Sequence, residues 1–249
     1  MKKLFVVVVA AFIYSNCTKD EAVLQQKQSP ALSTFNTGHR VAARDAREEF
    51  ATLIIDWTKW VYGRNANISP INDKNGNLQY LAQPYSSGIF MLAGSSSQDR
   101  VNRTVTIRLS EYQYVFVPLI TVAAWYDDCD PSFGPQPGQT PEDFFHGIMK
   151  KYFQGPNDLT LTFDGVSLLP KPQEDLRHNS GIFEFHVDPS NNIIEKKPCN
   201  TPLSTTYTDG YWAKVQLPPT PGDHILTIGG ALTAVGFTNS VEYTIHVKP

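Results

Sequence analysis

Hydrophobic positions in this chain follow a helical period up to about residue 62 and a strand-like period after it. Between Val41 and Tyr62 apolar side chains recur every three or four residues, as they do along one face of an α-helix. These positions are Ala42, Ala43, Ala46, Phe50, Leu53, Ile54, Trp57, Trp60 and Val61. We therefore predict an amphipathic helix over residues 41–62, with Trp57 and Trp60 packed against the rest of the domain.

After Gly63 the apolar segments become short, and Pro, Gly, Asn and Asp separate them. Most of these segments alternate between apolar and polar residues, as half-buried strands do. The predicted strands are 88–93, 101–109, 112–124, 159–163, 181–187, 211–217, 224–229 and 241–247. Residues 116–124 are nearly all apolar, which is typical of a central strand buried on both faces. Asn75-Gly76 and Asp209-Gly210 predict tight turns.

This pattern favours a mainly β fold, a β-sandwich or jelly-roll-like architecture with one N-terminal amphipathic helix and one short helix. The short helix is predicted over residues 141–153, because Thr140 can cap it and Pro141 suits its first position. The chain has 249 residues, of which 41% are hydrophobic, enough to bury a sizeable core. Residues 40–249 show no internal linker or repeat, so we expect them to form a single domain.

The first 16 residues have the composition of a signal peptide, with Lys2 and Lys3 ahead of an apolar run from Leu4 to Tyr14. That run is shorter than the roughly 20 residues needed to span a bilayer. The sequence around Cys17 resembles a relaxed bacterial lipobox, and residues 18–21 (TKDE) resemble a surface-export signal of Bacteroidota lipoproteins. The resemblance implies a lipid anchor at Cys17, a flexible tether over residues 17–39 and display on the outer face of the outer membrane. The alternative is an ordinary secretory signal with an incidental cysteine.

The other two cysteines, Cys129 and Cys199, would meet an oxidising compartment after export. A disulfide between them is the natural interpretation, and two buried free thiols are the alternative. Loss of Lys2 and Lys3 with the signal peptide leaves 19 basic and 24 acidic residues, a charge of −5. This charge disfavours nucleic acid as a partner.

The mature domain resembles a family of secreted bacterial proteins that carries no assigned biochemical function. The resemblance covers about residues 50–230. It consists mostly of turn and core residues: Trp57, Pro70, Asp73, Gly76, Phe90, Leu92, Ala93, Gly94, Arg103, residues 115–118, Ile120, Cys129, Asp164, Gly165, residues 209–212, residues 217–219 and residues 221–225. Where that family tends to carry a further cysteine, this chain has Gln79 and Tyr80. The resemblance supports the fold and transfers no catalytic residue.

Two acidic segments are candidate metal sites. Asp127, Asp128 and Asp130 form a cluster of oxygen ligands that suits Ca²⁺, although a solvated loop of turn-forming aspartates explains them as well. The spacing of Asp73, Asn75 and Asn77 matches the start of an EF-hand loop. Leu78 replaces the glycine that such a loop requires, so we reject that motif.

Catalytic signals are weak. Glu184 and His186 share one face of a predicted strand about 7 Å apart, so an acid–base role is conceivable, but an ordinary polar strand face explains them better. No Gly-x-Ser-x-Gly elbow or His-Glu-x-x-His motif occurs in the chain.

Exposed aromatic side chains would point to sugar binding, because a pyranose ring has one apolar face and a rim of hydroxyls. Trp125 with Tyr126 and, separately, Trp212 are the aromatic candidates, with core packing as the alternative for each. If Tyr211 joins the core, Trp212 is expected to face solvent.

These observations favour a non-enzymatic surface lipoprotein that binds a glycan or an outer-membrane protein partner. A surface hydrolase with a site built from loops at one end of the sandwich, and a structural component of an envelope complex, are the alternatives. No cofactor is expected other than the possible Ca²⁺.

Overall fold

The computed structural model of this protein describes residues 47–84, 88–127, 132–155, 157–186 and 203–249. Their helices and strands are α1 (Arg47–Tyr62), β1 (Gly88–Met91), β2 (Val101–Arg108), β3 (Tyr112–Tyr126), α2 (Pro141–Tyr152), β4 (Leu159–Phe163), β5 (Val166–Ser167), β6 (Arg177–Phe185), β7 (Ser204–Gln216), β8 (Gly222–Leu232) and β9 (Phe237–Lys248). The first sheet has the strand order β1-β3-β7-β6, and the second has the order β2-β9-β8-β4-β5. The mainly β, sandwich-like architecture predicted from the sequence is confirmed.

The predicted signal peptide and tether, with the lipidation candidate Cys17, lie outside the described residues, as do Cys129 and Cys199. Neither described helix is long and apolar enough to cross a membrane.

The first sheet is covered on both faces, and this gives the protein two hydrophobic layers. One layer fills the space between the sheets and contains Val117, Phe163 and Ile245. The other lies between α1 and the outer face of the first sheet, where Trp57 and Trp60 are buried as predicted. The central strand β3 therefore has almost no polar face, which agrees with the apolar run at residues 116–124.

The second layer overturns the expectation that Trp212 faces solvent. Trp212 is 0% exposed although Tyr211, on the other face of β7, is buried as well. Its indole stacks on Phe116 with ring centroids 5.3 Å apart and meets the edge of Trp57 at 5.1 Å. The prediction was wrong because it assumed that only one face of the sheet was covered.

Asp209-Gly210 also differs from its prediction, since both residues lie within β7 rather than in a turn. Gly210 faces a β-bulge in β3 between Pro118 and Ile120. A Cβ atom at Gly210 would lie 2.6 Å from the backbone oxygen of Ile120. The glycine is therefore explained by close backbone approach rather than by a turn. The turn predicted at Asn75-Gly76 agrees with the structure, because Gly76 has the left-handed φ of +103° that such turns use.

The segment between α1 and β1 forms hydrogen bonds with one edge strand of each sheet, β1 in the first sheet and β2 in the second. The side-chain amide of Gln83 pairs with both the N–H and the C=O of Met91 on edge strand β1. On edge strand β2, the N–H of Thr104 donates to the backbone oxygen of Asn75, and the N–H of Thr106 donates to the hydroxyl of Tyr80. Edge backbone groups satisfied in this way are not open to pairing with another chain.

A buried arginine joins this segment to both sheets. Arg103 on β2 is 1% exposed. Its Nε donates to the oxygen of Asp73 at 2.8 Å and its Nη2 to the oxygen of Ile71 at 3.1 Å. Its Nη1 lies 2.8 Å from the oxygen of Ala93 and 2.6 Å from the hydroxyl of Tyr243 on β9. One guanidinium therefore satisfies backbone carbonyls from two separate segments that contain no regular strand.

The Asp73 side chain stabilises the same region. Its carboxylate accepts from the backbone N–H groups of Asn75, Gly76 and Leu78 and from the side-chain amide of Gln79. All four donors to this carboxylate lie within residues 75–79 of the same loop. These hydrogen bonds account for the EF-hand-like spacing of Asp73, Asn75 and Asn77 without a metal.

We predict that Arg103→Met lowers the free energy of unfolding by about 3–5 kcal/mol, because several buried carbonyl groups lose their donor. Urea unfolding followed by circular dichroism measures the change. Arg100→Met is the matched control, since Arg100 makes a surface ion pair with Glu242 and its side chain is 56% exposed. The control should cost no more than about 1 kcal/mol. Equal losses in the two variants would contradict the central role of Arg103.

Candidate functional site

Most of the site residues predicted from the sequence that the structure describes meet at one end of the first sheet. There β3 ends at Tyr126, β6 ends at Phe185 and β7 begins at Ser204. Tyr126 and Glu184 both lie opposite Thr205, one on each side of it. Their Cα atoms are thus two strand spacings, about 10 Å, apart. We call this region, with Tyr126, Asp127, Glu184 and His186, the loop end.

Half-buried aromatic rings line the loop end beside α2. The ring of Tyr126 lies 5.6 Å from that of Phe144, and Phe144 lies 5.2 Å from Phe133. Phe145 stacks between Tyr126 and Tyr207 beneath them. Phe144 and Phe145 belong to the first turn and a half of α2, whose N-terminus is capped by the Thr140 hydroxyl as it accepts from the N–H of Asp143. Tyr126, Phe133 and Phe144 form what we call the aromatic rim.

Trp125 differs from its neighbour Tyr126. It lies on the α1 side of the sheet, is 6% exposed, and packs against Tyr62 and Phe185. Of the three aromatic candidates, Tyr126 alone keeps a partly open ring, while Trp125 and Trp212 serve the second hydrophobic layer.

Glu184 and His186 are both exposed, as predicted, whereas Phe185 between them is buried. Asp127 is half-buried at the end of β3, and Asp128 and Asp130 lie outside the described residues. Within the described ranges no group of three or more His, Cys, Asp or Glu side chains is arranged to hold a metal ion. The Ca²⁺ hypothesis for residues 127–130 therefore stays a prediction.

Sequence reasoning missed an ion pair on the inner face of the same sheet. Arg177 on β6 holds Asp209 on β7 with two hydrogen bonds, 3.2 Å from Nε to Oδ1 and 2.8 Å from Nη2 to Oδ2. Burial lowers the pKa of Arg177, but its hydrogen bond to Asp209 and the charge of Asp209 outweigh burial, so the pKa is raised overall. The guanidinium also lies 4.4 Å from the ring centre of Phe153. No local spacing links residues 177 and 209, and the strand register alone brings them together.

Sequence reasoning also missed a contact between His224 and Asp164. His224 Nδ1 lies 2.8 Å from Asp164 Oδ2, and Asp164 Oδ1 accepts from the N–H of Ile225 at 2.9 Å. Asp164 has the left-handed φ of +50° in the turn after β4. The Asp164-Gly165 and His224-Ile225 motifs thus form one structural contact between that turn and β8.

The direction of α1 relates the loop end to the point where the chain enters the domain. Near its start, Glu49 makes an ion pair of 2.5 Å with Lys214, and Phe50 packs 4.2 Å from the ring of His178. At its end, Tyr62 packs 5.6 Å from Trp125 at the loop end. Sixteen helical residues span about 24 Å. Arg47, where α1 begins, therefore lies at the opposite end of the first sheet from the loop end.

A solvent-open crevice of about 380 Å³ lies elsewhere, between α1, β3 and the start of β9. Its lining includes Trp57, Tyr62, Ser95, Thr121 and Asn239, none of which was predicted as a site residue. The two rings are at most 2% exposed, so a ligand at the mouth would not reach them. The loop end is the better candidate site.

No family model, curated protein or solved structure matches this chain. A functional assignment must therefore come from the geometry of the loop end and from the sequence that precedes the domain.

Proposed function

We propose that this protein is a lipid-anchored outer-membrane surface protein that binds an extracellular glycan with the loop end of its sandwich. The observation that carries the proposal is the direction of α1. A chain anchored through Cys17 would enter the domain at Arg47, so the aromatic rim would lie at the end of the domain opposite the point where the tether joins it.

The chemistry of the rim supports a sugar ligand. The partly open rings of Tyr126 and Phe144 suit the apolar face of a pyranose, and the exposed carboxylate of Glu184 suits its hydroxyl rim. Asp127 adds a second carboxylate at the end of β3. A binding site of this kind requires no catalytic group.

Glu184 and His186 supply the one observation that favours a surface hydrolase instead, since both are exposed at the loop end. In that case incubation with a bound polysaccharide would release reducing sugars, and Glu184→Gln would abolish the release. Binding without release favours the proposed role.

We predict that Tyr126→Ala weakens glycan binding about tenfold, equivalent to about 1.4 kcal/mol, because it removes the central ring of the rim. The measurement is a polysaccharide and envelope-glycan screen with purified mature protein, with and without Ca²⁺. Tyr112→Ala is the matched control, since Tyr112 is a half-buried tyrosine at the other end of β3. Equal effects of the two substitutions, or no binding by the unaltered protein, would contradict the proposal. Loss of binding on Ca²⁺ removal would support the site at residues 127–130.

We predict that Cys17→Ala releases the protein from membranes. Acyl chains contribute about 0.8 kcal/mol per buried methylene, and the described helices offer no membrane span in their place. Fractionation of cells that express the two forms checks this, with surface protease digestion of intact cells as the test of outward display. A Cys17→Ala protein that still sediments with membranes would refute the anchor.

We also predict a disulfide between Cys129 and Cys199. Both cysteines lie outside the described residues, but the strand residues nearest to them are paired. Cys129 follows Tyr126 by three residues, Cys199 precedes Thr205 by six, and Tyr126 lies opposite Thr205. Short segments therefore tie both cysteines to one point of the sheet, within the reach that a disulfide needs.

Thiol labelling of denatured, unreduced mature protein tests the disulfide. Neither Cys129 nor Cys199 should react before reduction, and both should react after it. Modification of either cysteine without reductant would show that the bond is absent.

A further inference from the structure

An arginine at the loop end forms no ion pair with any carboxylate in the described part of the chain. Arg64 follows the last turn of α1, and its Nη2 donates to the backbone oxygen of Ala82 at 3.1 Å. Its Nε is buried and has no hydrogen-bond acceptor. Among the described residues no carboxylate forms an ion pair with Arg64, in contrast to Arg177 and its partner Asp209.

This arrangement leaves both charge and hydrogen-bonding capacity unused. A guanidinium has five N–H donors, and a buried donor without an acceptor is costly. Burial also lowers the pKa of Arg64, which means that the surroundings disfavour its charge. The C-terminal carbonyls of α1 attract the cation, but none accepts a bond from Nε. An oxyanion has the charge and the acceptor atoms that would satisfy such a donor.

Two residues with cationic or protonatable side chains have their backbones beside the residue that precedes Arg64. A Cβ atom on Gly63 would lie 2.5 Å from the backbone oxygen of Lys59 and 3.2 Å from that of His186, so the backbones of both residues contact the residue before Arg64. The Lys59 ammonium lies 5.9 Å from the ring centre of Phe183, and both Lys59 and His186 are exposed. We call Lys59, Arg64 and His186 the basic corner.

Two acidic residues within the described ranges lie on the elements that carry Lys59 and His186. Asp56 lies one turn before Lys59 on α1, and burial raises the pKa of its carboxyl while the charge of Lys59 lowers it. Glu184 lies on β6, where its exposed side chain alternates with those of Phe183 and Phe185, and His186 follows beyond the end of that strand. Neither Asp56 nor Glu184 forms an ion pair with Arg64, so no described carboxylate compensates the charge of Arg64.

We propose that the basic corner binds the anionic group of an acidic ligand, a carboxylate or sulfate on a sugar or a phosphate. The inference deepens the proposed function and rests on it only in naming the ligand as a glycan. The planar guanidinium holds such groups with two parallel hydrogen bonds, and Lys59 adds a point charge. Because Nε is closed to solvent, binding requires the Arg64 side chain to turn outward.

The side-chain Nε–H resonance of Arg64 reports this event directly. Mature protein with isotope-labelled arginine is titrated with D-glucuronate, inorganic sulfate and inorganic phosphate, followed by proton–nitrogen NMR. D-glucose and sodium chloride at matched ionic strength are the controls. We expect a saturable shift of the Arg64 signal with at least one oxyanion and none with glucose. The oxyanion that binds most tightly distinguishes a uronic acid from a sulfated or phosphorylated ligand.

Substitutions distinguish specific oxyanion binding by Arg64 from a general effect of positive charge on the surface. Arg64→Lys keeps the charge but loses the planar fork, and we expect it to weaken binding about tenfold. Lys59→Gln should weaken binding by a smaller factor, and Arg47→Gln, at the exposed start of α1, should leave binding unchanged. The variants are followed by the backbone signals of residues 62–64.

An unsaturable shift, or the same shift with sodium chloride, would overturn the proposal, as would equal losses in Arg64→Lys and Arg47→Gln. The outcome is separate from that of the glycan screen. Oxyanion binding without polysaccharide binding would leave the basic corner established and remove the glycan role. Polysaccharide binding that depends on Tyr126 but not on Arg64 would support the glycan role and contradict the role of the basic corner.

Discussion

The guanidinium of Arg103 holds together two irregular parts of the chain by donating to their buried backbone carbonyl groups. Residues 70–73 form one short 3-10 turn and its C-cap, residues 93–94 lie beyond the end of β1, and both segments are mostly buried. Arg103 supplies donors to four of these carbonyls and also bonds Tyr243. The Asp73 carboxylate organises the adjoining turn through its own backbone contacts. The segment fixed in this way closes the edges of β1 and β2 through Gln83, Asn75 and Tyr80.

Helix α1 determines which aromatic side chains of the first sheet remain accessible to a ligand. By covering the outer face of the first sheet, it places Trp57, Trp125 and Trp212 in a second hydrophobic layer, where their rings stabilise the fold. Partly open aromatic rings are left at the loop end, beside α2, in the aromatic rim. The same helix carries the chain from the far end of the sheet to the loop end, where Arg64 follows it. The aromatic rim packs with the layer between the sheets, whereas Arg64 follows α1, which covers the outer face of the first sheet.

Local patterns predicted the elements well. The apolar period of α1, the Thr140 cap of α2 and the alternation along β2 each depend on neighbours within a few residues, and all three appear in the structure. The errors arose where distant segments decide the environment of a residue. Trp212 depends on a helix 150 residues earlier in the sequence, and Gly210 depends on a bulge in the facing strand.

The sequence alone determined the mainly β class, the positions of the helices and most strands, and the exposure of Glu184 and His186. These follow from side-chain periodicity and capping, which act over short distances. Only the tertiary structure decided which aromatic rings stay partly open, that Arg177 pairs with Asp209, and that Arg64 has no acidic partner among the described residues. Strand register and helix packing bring together residues that are far apart in the chain, and no local pattern encodes those contacts.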